Sequence, residues 1–377
     1  MKIWIDGFEA NQPQRLGSGQ IAFELLCNLE KIDRKNIYTV LIAGKLLDDL
    51  PKERAGWVYK EIKFNKFKTY LAIPLALFTS KNKPDIFFSP THYGPFFAPC
   101  KRIILIFDLA FLKFKDMFKP RDLHQLILWT KISVKKASHI ITISNNSKKD
   151  IQRAYGVKKG KITVAYPGYD KEKFKSQISN VKIEEIKKKY GIEGGYIIYI
   201  GTIQPRKNLV RLIETFSRIE NNDLKLVIVG KTKGFGRQAW MFEETLNAPK
   251  KFGVEEKVIF TGFAPTEDLP YLLSGSKAYI LPSLYEGFGI PVLEAMASGV
   301  PVLLSSVSSL PEVAGKAGIY FDPNSTTQIE HAIRLIISDS KIRQKYSKLG
   351  LAQVRKFSWK KMAREVLKTF EKVAPNP

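Results

Sequence analysis

The sequence predicts an α/β protein built from two Rossmann-like parallel-sheet domains, and three observations lead there. The chain has 377 residues, room for about two domains of roughly 100 to 200 residues, each with its own core. Short β-branched runs alternate with helical patterns along its whole length, as in a parallel sheet covered by helices. Most of these runs are continuously apolar rather than alternating, as strands buried on both faces are.

The first series of runs comprises KIWID from Lys2, YTVLIA from Tyr38, DIFFS from Asp85, RIILIF from Arg102, HIITIS from His139 and KITVAY from Lys161. The second comprises YIIYIG from Tyr196, LKLVIVG from Leu224, KVIFTG from Lys257, KAYILP from Lys277, VPVLLS from Val300 and GIYFD from Gly318. Between the series, Asp170 to Gly195 is polar and lysine-rich without a strong apolar period, and reads as a linker. We expect a first domain over 1–172 and a second over 190–357. A final helix within 358–377 places Met362, Val366, Leu367, Phe370 and Val373 at helical spacing.

The formal net charge is +25, and residues 1–175 hold +16 of it. Such a field attracts nucleic acid, anionic lipid or phosphorylated small molecules, and a lysine-rich solvated surface explains it equally well. No basic stripe is interleaved with aromatics, which counts against nucleic acid. No apolar run approaches the ~20 residues that cross a bilayer; the longest, Tyr70 to Phe78, contains Pro74. Asp6 and Glu9 interrupt any secretory apolar stretch, so a cytoplasmic protein is expected. Peripheral association with the anionic inner membrane face is a further expectation. It rests on KFKDMFKPRDLHQLILWTKISVKK, where basic residues flank Leu126, Ile127, Leu128 and Trp129; a core helix with snorkelling lysines is the competing reading. Cys27 and Cys100 stand far apart, outside any metal or redox spacing, and read as buried, reduced thiols.

Ligands of open α/β sheets bind outside the carboxyl ends of strands, so chemistry belongs in the turns after the runs above. The strongest such turn is LPSLYEGFGIPVLEAMASG, after KAYIL. Glu286 and Glu294 flank a helix start with Pro291 in its first turn, where a missing donor is tolerated. The amides around Phe288, Gly289 and Ile290 lack intrahelical partners there and, with the positive helix end, form an anion site. Gly287 and Gly289 allow close approach of a ligand, and the two carboxylates can address different parts of one elongated ligand. A solvated acidic loop does not explain two glycines and two acids around one helix start. A second turn, GTIQPRKNL, follows YIIYIG: Gly201 ends the strand and Pro205 bends the chain. Arg206 and Lys207 then arrive together, a guanidinium fork and an ammonium suited to a diphosphate.

On these residues the chain resembles the retaining glycosyltransferases of family 4, which have the two-domain GT-B architecture. PRKNL (Pro205 to Leu209), EGFGIPVLE (Glu286 to Glu294) and FTGF (Phe260 to Phe263) carry the resemblance, supported by ISNNSKKDI (Ile143 to Ile151) and PGYDKEKF (Pro167 to Phe174). It implies two domains facing across a cleft, with the final helix crossing back to the first, acceptor-side domain, and a nucleoside-diphosphate hexose such as GDP-mannose or a UDP-hexose as donor substrate. It also implies transfer with retention to a lipid-linked or saccharide acceptor, as in polysaccharide biosynthesis. By the same resemblance Arg206 and Lys207 hold the donor diphosphate, Glu294 the ribose hydroxyls, and Glu286 with the Phe288 to Ile290 amides the transferred sugar; Gly201 and Phe263 join the donor site.

In the first half, Gly17 and Gly19 with Ala22 fit G-x-G-x-x-A, but the strand ends near Asp6, too early for the tight dinucleotide turn. The loop reads instead as a flexible wall facing donor phosphates or acceptor. Of four histidines, His92 in SPTHYGP follows a strand and is a candidate catalytic group, whereas His124, His139 and His331 read as structural. The family places a His before the Asp of the next strand end, where this chain has Phe107 before Asp108. Nothing has metal-ligand spacing, so Arg206, Lys207 and helix dipoles are expected to neutralise the diphosphate without metal or other cofactor. An epimerase on the same architecture and a nucleic-acid binder are the rival readings.

Overall fold

Among the described residues of the computed structural model, thirteen strands form two wholly parallel sheets; the structure describes residues 1–15, 17–63, 68–175, 178–232 and 242–374. Each sheet belongs to one compact unit. Unit 1 is Met1–Gly168 with the chain from Ser358 onward, and unit 2 is Tyr169–Phe357.

In unit 1 the strands are β1 (Lys2–Asp6), β2 (Ile37–Ile42), β3 (Trp57–Glu61), β4 (Ile86–Ser89), β5 (Lys101–Ile106), β6 (His139–Thr142) and β7 (Ile162–Val164). They lie in the order β3-β2-β1-β4-β5-β6-β7. The β-branched and aromatic runs are covered on both faces: Ile3, Ile5, Phe87, Phe88 and Ile103 are fully buried. The sequence reading lacks β3. Its WVYKE run lies at the sheet edge with Val58 exposed, and only Trp57 is buried there, its ring 4.9 Å from that of Tyr38.

Helix Ser18–Ile32 buries Ile21, Ala22, Leu25, Leu26 and Leu29, an apolar stripe at helical spacing. Beside it packs the final helix, Trp359–Val373, started by the Ser358 hydroxyl accepting from the Lys361 amide. Met362, Val366 and Phe370 are buried as expected, whereas Leu367 and Val373 are half-buried. The Phe370 ring stands 5.3 Å from Phe88, which fixes the helix on the sheet. In helix Pro120–Lys136, Leu126 and Ile127 pack on the core and Trp129 meets the rings of Tyr70, Tyr93 and Phe96. Of the four apolar residues flanked by lysines, Leu128 alone is exposed.

Unit 2 carries β8 (Gly195–Ile200), β9 (Leu224–Val229), β10 (Val258–Gly262), β11 (Ala278–Leu281), β12 (Val302–Ser305) and β13 (Gly318–Phe321), ordered β10-β9-β8-β11-β12-β13. The segment read as a linker contains helix Asn180–Lys189, which packs on helix Leu269–Ser274. Lys189 and Tyr190 both donate to Asp268, at 2.6 and 2.7 Å. The helix buries only Ile186, so its lysine-rich remainder hid it. In each sheet the strand order reverses once, between β1 and β4 and between β8 and β11. A ligand crevice belongs at the carboxyl ends of such pairs. No helix among the described residues is long and apolar enough to cross a membrane. Cys27 and Cys100 are free thiols, half-buried rather than fully enclosed, and burial pushes their pKa values up to about 12 and about 11.

Candidate functional site

The reversal between β8 and β11 brings the two strongest sequence turns together. After β8 the chain makes a short turn at Pro205–Lys207, and Asn208 takes the left-handed conformation (φ 60°) before helix Leu209–Ser217 begins. Asparagine tolerates that backbone better than most residues. Its buried amide also donates to the carbonyls of Pro282 and Pro323, at 3.1 and 2.7 Å. The Leu284 amide donates to the Arg206 carbonyl at 2.8 Å. The turn after β8 is thereby stitched to the turn after β11.

Glu286 is buried at the centre of this seam. Lys207 Nζ donates to its Oε1 at 2.5 Å, the Ser283 hydroxyl to the same oxygen at 2.6 Å, and Arg206 Nη1 approaches Oε2 at 3.4 Å. Arg206 Nη1 also donates to the Tyr285 carbonyl at 3.0 Å. Burial alone raises the Glu286 pKa, but the charges of Lys207 and Arg206, with hydrogen bonds from Lys207 and Ser283, outweigh it and hold the carboxyl at about 2. Glu286 is therefore ionised at neutral pH, and one carboxylate faces two cations, leaving a net charge of +1 for the trio. The Glu286 amide donates to the Ser308 hydroxyl at 2.8 Å, and the Ser309 hydroxyl donates to the carbonyls of Glu286 and Phe288.

Those serines fix the backbone that leads into helix Ile290–Ala297. Gly289 caps it with φ 98°, a left-handed conformation that glycine adopts without strain. Pro291 lies in the first turn. Among the described residues the amides of Gly289 and Ile290 donate to no protein acceptor, which leaves them for an anion at the positive end of the helix. Gly287 is buried. Phe288 is buried too, its ring edge-on to Phe357 at 5.7 Å, so it contributes backbone rather than a ring to any ligand.

Glu294 follows in the same helix, and among the described residues no hydrogen bond reaches its carboxylate. Burial, then the nearby Asp170, push its carboxyl up to about 7 against the partial compensation of Lys173. Asp170 Oδ1 is itself engaged, accepting from the Glu172 and Lys173 amides at 2.9 and 3.1 Å. An under-satisfied acceptor of this kind suits ligand hydroxyls. Gly201 ends β8, where a Cβ would come within 2.7 Å of the Tyr199 hydroxyl. Phe263 follows β10 half-exposed, with Lys231 Nζ 5.5 Å from its ring centre.

The remaining sequence candidates belong to unit 1. Gly17 caps helix Ser18–Ile32 with φ 52°, and nothing lies where its side chain would begin. Arg15 pairs both terminal nitrogens with Asp49, donates to the Ala10 carbonyl and lies 4.1 Å above the Phe23 ring. A Cβ at Gly19 would sit 3.1 Å from the Glu9 carbonyl. His92, after β4, has a buried Nδ1 without a hydrogen-bond partner, and its ring is 5.4 Å from Phe107. Burial lowers its pKa and Asp108 pulls the other way, so the imidazole is neutral at pH 7. His139 bonds Thr163 at 2.9 Å, in keeping with a structural role.

Sequence reasoning missed Asn208, Ser283, Ser308, Ser309 and Asp170 as parts of the site. Asp170, Asn208 and Ser283 lay inside the quoted PGYDKEKF, PRKNL and LPSLYEGFGIPVLEAMASG runs without being singled out; Ser308 and Ser309 carry no signal until the fold sets them beside Glu286. Among the described residues no three His, Cys, Asp or Glu side chains group as metal ligands.

Residues 29–173 match the family model described as Glycosyltransferase Family 4, and residues 182–353 that described as Glycosyl transferases group 1. The chain belongs to the family 4 glycosyltransferases. This family member is 31% identical over 241 residues to the Escherichia coli O-antigen chain mannosyltransferase B, covering 63% of the chain and 62% of that relative. It is 27% identical over 281 residues to the Escherichia coli serotype-specific mannosyltransferase WbdA, covering 73% of the chain and 34% of that relative. It thus spans less than two thirds of either relative. Among solved structures, the sucrose-phosphate synthase of Thermosynechococcus elongatus superposes with a TM-score of 0.79 at 16% identity, covering 99% of this chain and 98% of that one. Anabaena HepE in complex with UDP and glucose gives 0.77 at 18%, covering 99% and 100%. Both share the two-sheet fold, with neighbours of the GT-B class.

Proposed function

We propose that this protein transfers a hexose, mannose first among the candidates, from a nucleoside-diphosphate sugar to a hydroxyl of a saccharide or lipid-linked acceptor. The observation that carries the reading is the buried Glu286 joined to Lys207 and Arg206 at the strand-order reversal of unit 2, next to the open amides of Gly289 and Ile290. The names of the two Escherichia coli relatives support mannose, and with it GDP-mannose over a UDP-hexose.

The difficult step of such a transfer is departure of the nucleoside diphosphate, whose bridging oxygen gains charge in the transition state. A trio with net charge +1 and two amides at a helix start stabilise that charge without metal and without reorganising. Glu286, kept ionised, holds both cations in place and therefore acts on the leaving group through them. Glu294 accepts from the ribose hydroxyls, and the half-exposed Phe263 offers a face for the base. Retention without an evident protein nucleophile points to a front-face, oxocarbenium-like route, with His92 of unit 1 kept as the candidate catalytic histidine. Peripheral membrane association draws support from Leu71, Leu75 and Phe78, exposed at spacings of four and three residues with Lys81 and Lys83 close by in the chain.

The test is incubation with GDP-mannose and with UDP-glucose, each with and without oligosaccharide or lipid-linked acceptors, and analysis for a new glycosidic bond and its anomeric configuration. A retained mannoside bears the reading out. An altered free sugar nucleotide would instead indicate epimerisation, and no turnover with any donor of a broad panel would overturn the reading.

A further inference from the structure

A second charged site lies in unit 1, at the amino-terminal edge of its sheet, the edge opposite the turns that carry His92 and Asp108. An open groove of about 990 Å³ is lined there by Lys101, Lys131, Lys135, Lys158, Lys161 and Lys372, with no Asp or Glu among its lining residues. Lys101 opens β5, His139 opens β6 and Lys161 precedes β7. Among the described residues none of the six ammonium groups pairs with a carboxylate.

The ordinary explanation is that the lysines compensate helix ends, since helices Pro120–Lys136, Asn145–Tyr155 and Trp359–Val373 all terminate at the groove. Each helix carboxyl end carries about half a negative charge. Three of them supply about −1.5 against six lysines, so most of the positive charge remains uncompensated. Two further features favour a ligand. Lys131 and Lys135 are exposed one turn apart on one helix, a like-charge spacing that destabilises it. Lys372 Nζ donates to the Gly160 carbonyl at 3.0 Å, which ties that exposed charge to the groove wall. The groove also keeps His139 neutral: burial, then Lys372, Lys161 and Lys148, bring it down to about 4.

We propose that this groove binds an anion carrying two or more linked phosphates, at a site separate from the one in unit 2. A cavity of that volume is roughly 10 Å across, about one Debye length at 0.1 M salt, so all six lysines act on one ligand together. A single phosphate would engage too few of them. A chain of phosphates, free in solution or borne on a lipid headgroup, matches both the spread and the excess of charge.

The probe is inorganic tripolyphosphate, titrated calorimetrically into the full chain at low salt. An Arg206→Ala/Lys207→Ala variant removes the competing unit 2 site and should still bind one equivalent. Adding Lys131→Gln, Lys161→Gln and Lys372→Gln should weaken that binding at least tenfold, because each charge about 4 Å away in water is worth on the order of a fivefold. Lys131→Gln alone, at an exposed position, should cost about two- to fivefold in affinity without lowering the Tm, and salt should weaken what remains. Unchanged tripolyphosphate affinity in the lysine variants would overturn the proposal, whatever the outcome for donor binding in unit 2. Cosedimentation with vesicles carrying a lipid whose headgroup holds two linked phosphates identifies the source, with phosphatidic-acid vesicles as the single-phosphate control. Loss in the lysine variants assigns the phosphates to a lipid, and lysine-independent vesicle binding assigns them to a soluble anion.

Discussion

Replacing Glu294 by Gln should stabilise the protein at pH 8 while weakening its grip on the donor. Burial and Asp170 hold this carboxyl at about 7 rather than at its ordinary 4.5, a difference corresponding to about 3 kcal/mol. The side chain partly reaches solvent, so about 1 to 3 kcal/mol is the expected range. The sign follows from a raised acid. Below pH 4.5 the group is protonated in both folded and unfolded chains and costs nothing. Between 4.5 and 7 the unfolded chain ionises first, so folding loses stability, and above 7 the whole cost is present. Glu294→Gln should therefore match the wild type near pH 4.5 and exceed it at pH 8, by about 2 to 4 °C in Tm per kcal/mol. Its kcat/KM should fall roughly tenfold to a hundredfold, since a charged acceptor is worth about 1.5 to 3 kcal/mol per bond. Thermal unfolding at the two pH values, with donor kinetics at pH 8, reads both effects. A variant no more stable at pH 8 than the wild type would refute the desolvated carboxylate, and unchanged kinetics would remove Glu294 from the site.

Glu286 should behave in the opposite way. Held at about 2, it contributes on the order of 3 kcal/mol that is present above pH 4.5 and lost as the pH falls towards 2. Glu286→Gln should thus be destabilised at pH 7 and converge with the wild type near pH 2 in urea unfolding; a constant difference across that range would contradict the buried pair. For His92→Ala, kcat should drop by roughly 10² to 10⁴ if the imidazole moves a proton and nearer tenfold if it only orients the sugar, with donor affinity little changed. A wild-type kcat would make it a loop residue. Activity should survive EDTA, and its abolition with rescue by magnesium or manganese would overturn the metal-independent reading.

Much of the fold was legible because parallel strands buried on both faces leave continuous apolar runs, and twelve of the thirteen strands announce themselves that way. The exception, β3, is an edge strand whose WVYKE run buries little besides Trp57. Helix Asn180–Lys189 escaped notice for a related reason: one buried isoleucine among lysines gives no periodic signal. The site was legible as two turns but not as one object. Lys207 and Glu286 lie 79 residues apart, and only the pairing of β8 with β11 makes them partners. That pairing changes the chemistry assigned to Glu286, from a group facing the ligand to one that holds two cations in place. Asn208, Ser308 and Ser309 act through backbone carbonyls and amides, which a sequence pattern does not display, and Ser283 acts on the Glu286 carboxylate.

Calorimetric titration of GDP and UDP against the wild type and against Arg206→Ala/Lys207→Ala tests the central claim most directly, that the seam between β8 and β11 is a nucleoside-diphosphate site. The account predicts one equivalent of at least one nucleotide bound to the wild type. It predicts that this binding is weakened at least a hundredfold in the double variant, as loss of two charge-assisted contacts of about 1.5 to 3 kcal/mol each requires, with the pH 7 affinity insensitive to magnesium. Equal nucleotide affinity in the wild type and the double variant would contradict it.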